Sequence, residues 1–112
     1  MNDNYKWLNC IPDGWVELAR KMIQECEAID PTYYIIDLKE KWGTLCVTSI
    51  SECNNNEIYT IEEKYESLSG DICCKCGAPA EWYSTGWILP FCDKHIDKNK
   101  LQFYKQMNPL FT

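Results

Sequence analysis

The sequence predicts an α+β fold: a helix, a β-hairpin and a second helix, followed by a small module stapled through cysteines. Three observations predict it. Apolar residues recur at helical spacing over positions 13–29 and again over 57–69. Between these stretches, positions 33–50 switch to aromatic and β-branched residues on either side of Trp42-Gly43. Beyond residue 70, the pairs Cys73-x-x-Cys76 and Cys92-x-x-His95 stand fifteen residues apart, which is the arithmetic of one four-ligand metal site.

The first eleven residues show no clear period, although Tyr5, Trp7 and Leu8 are apolar enough to pack. Asp13 is placed to cap the first helix. Trp15, Leu18, Ala19, Met22, Ile23, Cys26 and Ile29 fall on one helical face, opposite Glu17, Arg20, Lys21, Gln24, Glu25 and Glu27. Asp30-Pro31 ends this helix, because a residue before proline is pushed out of the α region and proline supplies no amide proton. Over the next stretch Tyr34, Ile36 and Leu38 alternate with Ile35, Asp37 and Lys39, the period of a strand. The residues from Thr44 to Ile50 supply its hairpin partner, and Gly43 suits the turn. One of Asn54, Asn55 and Asn56 is expected to cap the second helix, which carries Ile58, Ile61, Tyr65 and Leu68 on its apolar face and ends before Gly70-Asp71.

In the last third, positions 80–84 and 87–91 form a short hairpin across Thr85-Gly86, and a helix is expected over 93–107 with Pro109 just beyond it. On such a helix Cys92 and His95, spaced i, i+3, share a face. A turn with two cysteines, a hairpin, and a helix donating two ligands from its first turn resembles a treble-clef zinc finger. The donor set of Cys73, Cys76, Cys92 and His95 suits tetrahedral Zn²⁺ with no open position, hence a structural ion. Cys74 is a poorer substitute for Cys73, being separated from Cys76 by one residue only. Cys10, Cys26, Cys46, Cys53 and Cys74 read as small buried apolar residues. Residues 1–70 are read as an αββα body and 71–112 as the zinc module packed on it in one compact unit.

Seventeen acids against eleven bases leave a formal net charge of −6, a field that repels nucleic acid. The only basic cluster, Lys94, Lys98, Lys100 and Lys105, is diluted by Asp93 and Asp97. The apolar runs are too short for a membrane helix, and the N-terminus shows no secretory signal, which points to a cytoplasmic protein whose eight cysteines are reduced or metal-bound. An enzyme is not expected. His95 is the single histidine and is engaged as a ligand, and no phosphate loop, nucleophile elbow or deaminase H-x-E pattern is present.

Two stretches are similar, in order, to a family of small phage and prophage proteins in which a KEKFGGLR-like hairpin precedes a helix and a Cys-x-x-Cys-Gly finger. They are Leu38-Lys39-Glu40-Lys41-Trp42-Gly43-Thr44-Leu45, preceded by a helix at Gly14-Trp15, and the segment from Ser67 through Cys76-Gly77 and Gly86-Trp87-Ile88 to Cys92-Asp93-Lys94-His95. The resemblance covers most of positions 13–95. This chain departs from the pattern at Trp42 for phenylalanine, at Thr44 for glycine, and at Cys46 near a position often occupied by arginine. The resemblance implies a phage-derived zinc-binding accessory protein in the host cytoplasm and carries over no catalytic residue.

An acidic accessory protein of that origin reads as a protein-binding inhibitor or adaptor acting on a host enzyme or defence complex. Its candidate contacts are Trp42, Trp82, Tyr83 and Trp87, since aromatic anchors dominate interface energies, together with an acidic helix face of Glu57, Glu62, Glu63 and Glu66. The competing class is a nucleic-acid-binding zinc-finger regulator whose C-terminal helix sets its lysines on phosphates while Trp82 or Trp87 stacks on bases. A third is an assembly role as a homo-oligomer. Sequence leaves the oligomeric state open.

Overall fold

The computed structural model describes residues 3–53 and 55–107. Within them the chain is mixed α and β, with two α-helices and two small antiparallel sheets. Residues Asn4–Cys10 form a 3-10 helix, a second 3-10 turn covers Asp13–Trp15, and helix α1 runs Val16–Ile29. Strands β1 (Tyr34–Lys41) and β2 (Thr44–Ile50) make the first sheet. Helix α2, Asn55–Ser69, crosses back over β2 and α1.

Asp13 does not cap α1. It opens the preceding 3-10 turn, and the residue flanking α1 is Trp15, with no side-chain capping bond. Trp15 is instead fully buried and donates its indole N–H to the Ile72 carbonyl at 3.0 Å. The predicted apolar face of α1 is otherwise realised, with Ala19, Met22, Ile23 and Cys26 all buried. Asp30 ends the helix as an extended residue. Its carboxylate accepts from the Thr32 amide and hydroxyl at 2.9 and 2.7 Å and from the Cys53 amide at 2.9 Å. These bonds, those from Thr32 first, hold the Asp30 pKa down at about 2.

The sign of that shift yields a prediction. A carboxyl whose folded pKa lies below its unfolded value of about 3.9 contributes stability above that value, lost as pH falls through the folded one. Asp30→Asn is therefore expected to lower the urea midpoint at neutral pH, because the amide turns a donor towards the Cys53 N–H. The gap to the wild type should narrow as pH falls from about 4 towards about 2, the interval between the unfolded and folded values. A gap that stays constant across that range would show that the Asp30 charge contributes nothing.

In β1 the simple alternation read from sequence breaks. Tyr33, Ile35 and Leu38 are buried while Tyr34 and Ile36 are exposed, because the register shifts between Ile35 and Asp37. One extra residue in a strand reverses which side chains face the core. The buried face meets Leu45 of β2, Ile58 and Tyr65 of α2, and the core side of α1.

Helix α2 begins at Asn55, two residues before the expected start at 57; Asn54, one of the candidate caps, lies outside the described residues. Its acidic face divides. Glu57 and Glu63 are exposed, whereas Glu62 is only 8% exposed and accepts from the Tyr33 hydroxyl at 2.8 Å and the Ser49 hydroxyl at 2.6 Å. Glu66 accepts from the Val47 amide at 2.8 Å, and burial pushes its carboxyl up. Thus Glu62, which is buried, and Glu66, which is half-buried, tie α2 to the hairpin. A carboxylate at these positions satisfies donors that an apolar residue would leave bare.

The last third differs most from expectation. Strands β3 (Trp82–Ser84), β4 (Pro90–Phe91) and β5 (Tyr104–Gln106) form a three-stranded sheet ordered β4-β3-β5. The helix expected over 93–107 is absent: 3-10 turns occupy Asp93–His95 and Lys98–Phe103, and the chain then pairs with β3. Two local causes are visible. The Asp97 side chain accepts from the Asn99 amide, an alternative to helical bonding, and Ile96, Asp97 and Tyr104 are extended. Tyr104 also packs edge-on against Phe91, with ring centroids 5.8 Å apart, which rewards a strand. Residues 87–89, expected in a strand, form loop, and Pro109 lies outside the described residues. Cys74, Phe91 and Ile96 join the same apolar cluster as α1, α2 and the first hairpin. No helix among the described residues is long and apolar enough to cross a membrane.

Candidate metal centre

The centre is built by two turns. In the first, the Cys73 amide donates to the Ala78 carbonyl at 2.7 Å and the Gly77 amide to the Cys73 carbonyl at 2.9 Å, folding the backbone around the two thiols. Gly77 has φ +83, a left-handed conformation that disfavours any side chain. In the second, Cys92 precedes the 3-10 turn Asp93–His95, and the His95 amide donates to the Cys92 carbonyl at 3.0 Å. This single turn, without a following helix, is enough to bring Cys92 and His95 together.

One ligand atom from each of Cys73, Cys76, Cys92 and His95 lies within 4.8 Å of the others, so the four can hold a metal ion. The sulfurs of Cys76 and Cys92 are 3.7 Å apart, and His95 Nδ1 lies 3.1 Å from Cys92 and 3.7 Å from Cys73. Tetrahedral bonds of about 2.3 Å to sulfur set neighbouring ligand sulfurs about 3.8 Å apart. The Cys76–Cys92 separation matches that value, and the group as a whole is close enough to hold an ion. Three thiols and an imidazole are also the donors that borderline-soft metals prefer over magnesium or calcium.

Electrostatics favour the thiolate at one corner. Burial opposes ionisation of Cys73, yet bonds from the backbone at Cys92, Lys75 and Cys76 outweigh it and bring the thiol to about 7. Cys74 is different: it is buried among apolar side chains, and desolvation first, then the Cys73 charge, raises its pKa to about 11. Cys74 therefore packs in the core, and Cys73 is the cysteine of the pair that stands in the four-residue cluster. Of the other cysteines expected to be buried, Cys26 is, with its thiol pushed up to about 12 by desolvation; Cys10 and Cys53 are exposed and Cys46 is half-buried.

The indole of Trp82 donates to Asp93 at 3.2 Å, and Lys98 bridges the other oxygen of Asp93 at 3.2 Å. This bracing holds the second ligand turn against β3, so Trp82 serves the centre and is half-buried. The four lysines read as a basic cluster, Lys94, Lys98, Lys100 and Lys105, are exposed but share no helix, and the regular phosphate-facing array expected of them is not formed.

Two features of the site escaped the sequence. Gly14 lies directly against the first ligand turn: its amide donates to the Cys74 carbonyl at 2.9 Å, and an added Cβ would stand 2.0 Å from the Cys73 carbonyl oxygen and 2.8 Å from the Gly77 nitrogen. The glycine ahead of Trp15 was the available signal. The second is the meeting of the hairpin tips. Trp42 and Trp87 are 77% and 74% exposed, and they line one groove of about 290 Å³ with Glu40, Lys41, Gly86 and Ile88. Sequence proposed both tryptophans separately, and the fold brings them together.

No protein-family model, curated protein or solved structure matches this chain.

Proposed function

We propose that this is a small zinc-binding accessory protein of phage type that acts in the host cytoplasm by binding a host protein, with inhibition of a host enzyme or defence complex as the outcome. It has no catalytic role of its own in this reading. Zinc is the ion that three thiolates and one imidazole in tetrahedral array favour, and with four protein donors it has no position left for a substrate or a reactive water. Its task is then to hold the two ligand turns, and through Gly14 and Trp15 the start of α1. Residues 1–70 and 71–112 act as one unit, a reading supported by their shared apolar cluster. The two turns and the β3–β4 hairpin keep part of the treble-clef arrangement, with a 3-10 turn in the place of its helix.

The observation that carries the binding reading is the pair of exposed tryptophans on two different hairpins. Trp42 is the one non-glycine residue with positive φ among the described residues, at +56. A bulky residue there costs about 1–2 kcal/mol in backbone strain, and such strain collects at functional sites. Two large indoles left in water beside each other are the type of anchor that dominates protein interfaces.

Affinity purification of the tagged holo protein from host lysate is expected to recover one specific partner, and Trp42→Ala with Trp87→Ala to lose it. Reversal of Glu57 and Glu63, the acids that remain exposed on α2, should weaken recovery far less. Unchanged recovery with the double tryptophan variant would remove this surface from the mechanism.

A further inference from the structure

Between the hairpin tips the groove has a particular chemistry. Glu40 lies in its wall with both carboxylate oxygens positioned: one accepts from the Gly43 amide at 2.9 Å and the other from the Trp87 indole at 2.9 Å. These donors fix the carboxylate without neutralising it, and among the described residues Glu40 forms no ion pair. An ionised carboxylate has about four lone-pair sites, so each oxygen can still accept. The rest of the wall is the two indoles, Gly86 and Ile88, with Lys41 as the other charged residue. Lys41 lines the same groove, so its ammonium opposes an incoming cation and sets a cost that Glu40 has to offset.

We propose that this groove receives an arginine side chain from a segment of the partner protein, with the guanidinium against the Trp42 and Trp87 faces and forked onto Glu40. The inference rests on the protein-binding reading and names the chemistry of what binds. Indole faces carry a negative quadrupole that attracts cations, tryptophan most of all. A guanidinium is planar, stacks on aromatic faces and matches a carboxylate with two parallel bonds, which an ammonium cannot do. The chain's net charge of −6 adds a long-range field that draws a basic partner in and keeps nucleic acid out. The Nε1–Glu40 bond orients Trp87 before any partner arrives, and the turn at Trp42-Gly43, where an added Cβ on Gly43 would come within 3.0 Å of Ile88, sets the two hairpins in register. Such preorganisation removes part of the ordering cost of binding.

The test is titration of the ¹⁵N-labelled holo protein with a short capped glycine-serine peptide carrying one central arginine, followed through the indole N–H signals. The same peptide with citrulline, which has the same shape without the charge, a leucine version and an oligothymidylate are run beside it. The arginine peptide is expected to shift Trp42 and Trp87 together and to bind at least about fivefold more tightly than the citrulline peptide. Glu40→Gln should remove most of that preference, and Lys41→Gln should raise arginine affinity. Equal affinity for citrulline or leucine peptide, tighter binding of the oligonucleotide, or no shift of either indole at saturating peptide would overturn the proposal. Should Glu40→Gln disturb the hairpins, the comparison of arginine with citrulline on the unaltered protein and the Lys41→Gln arm still decide it. Loss of the lysate partner in Trp42→Ala alongside indifference to arginine would sink this inference and leave the protein-binding reading standing.

Discussion

Gly14→Ala is expected to be among the most damaging changes of one methyl group in this chain, costing about 4 kcal/mol or more. The new Cβ would meet the Cys73 carbonyl oxygen at 2.0 Å, the Cys74 carbonyl carbon at 2.7 Å and the Gly77 nitrogen at 2.8 Å. All three are backbone, so no rotamer change relieves the contact, and the ligand turn cannot retreat without spoiling the metal cage. Either α1 loses its entry turn or Cys73 leaves its corner. Gly86→Ala is the matched control. Among the described residues nothing lies within 4 Å of its added Cβ, and the φ of +81 is what opposes it, so a loss of about 1–2 kcal/mol is expected there. Urea melts of the holo proteins measure both. Equal effects at the two glycines would mean that the Gly14 junction yields where the geometry says it is rigid.

Removal of the metal should act through the same junction. Treating the zinc-loaded protein with a strong chelator, or replacing a ligand by Cys73→Ser, is expected to lower Tm by about 10 °C or more. Metal analysis should read one ion per chain before treatment and none after. The loss should spread: the Trp15 indole, bonded to Ile72 next to the first ligand turn, should exchange its proton faster once the turn loosens. Cys74→Ala separates ligation from packing, because Cys74 sits in the apolar cluster; this variant should keep its metal while losing some stability. An unchanged Tm after complete metal removal would show that the centre does not hold the fold together.

Much of the body was legible in the sequence. Helix α1 announced itself through spacing, with Asp30-Pro31 as its stop, and the turn at Trp42-Gly43 was visible between two β-branched runs. The candidate metal cluster was legible for a related reason: Cys73 with Cys76, and Cys92 with His95, each lie within one turn of chain, so residue type and short spacing carry the information. What failed depended on partners distant in sequence. The segment 93–107 has charge enough for a helix, but pairing of Tyr104 with Ser84 and its packing on Phe91 chose a strand. Glu62 and Glu66 read as part of one acidic helix face open to a partner, and the structure gives them donors from Tyr33, Ser49 and Val47 at the first sheet.

The sequence by itself determined the grouping of Cys73 with Cys76 and of Cys92 with His95, the presence of two helices and a hairpin between residues 13 and 70, and the acidic field. These follow from near neighbours and summed charge. Only the tertiary structure decided that Gly14 seats the ligand turn against α1, that one shifted residue in β1 turns Tyr34 and Ile36 outward, and that Trp42, Glu40 and Trp87 share a groove. Those facts arise where segments tens of residues apart are pressed to contact distance, and a one-dimensional pattern holds no record of which distant segment will arrive.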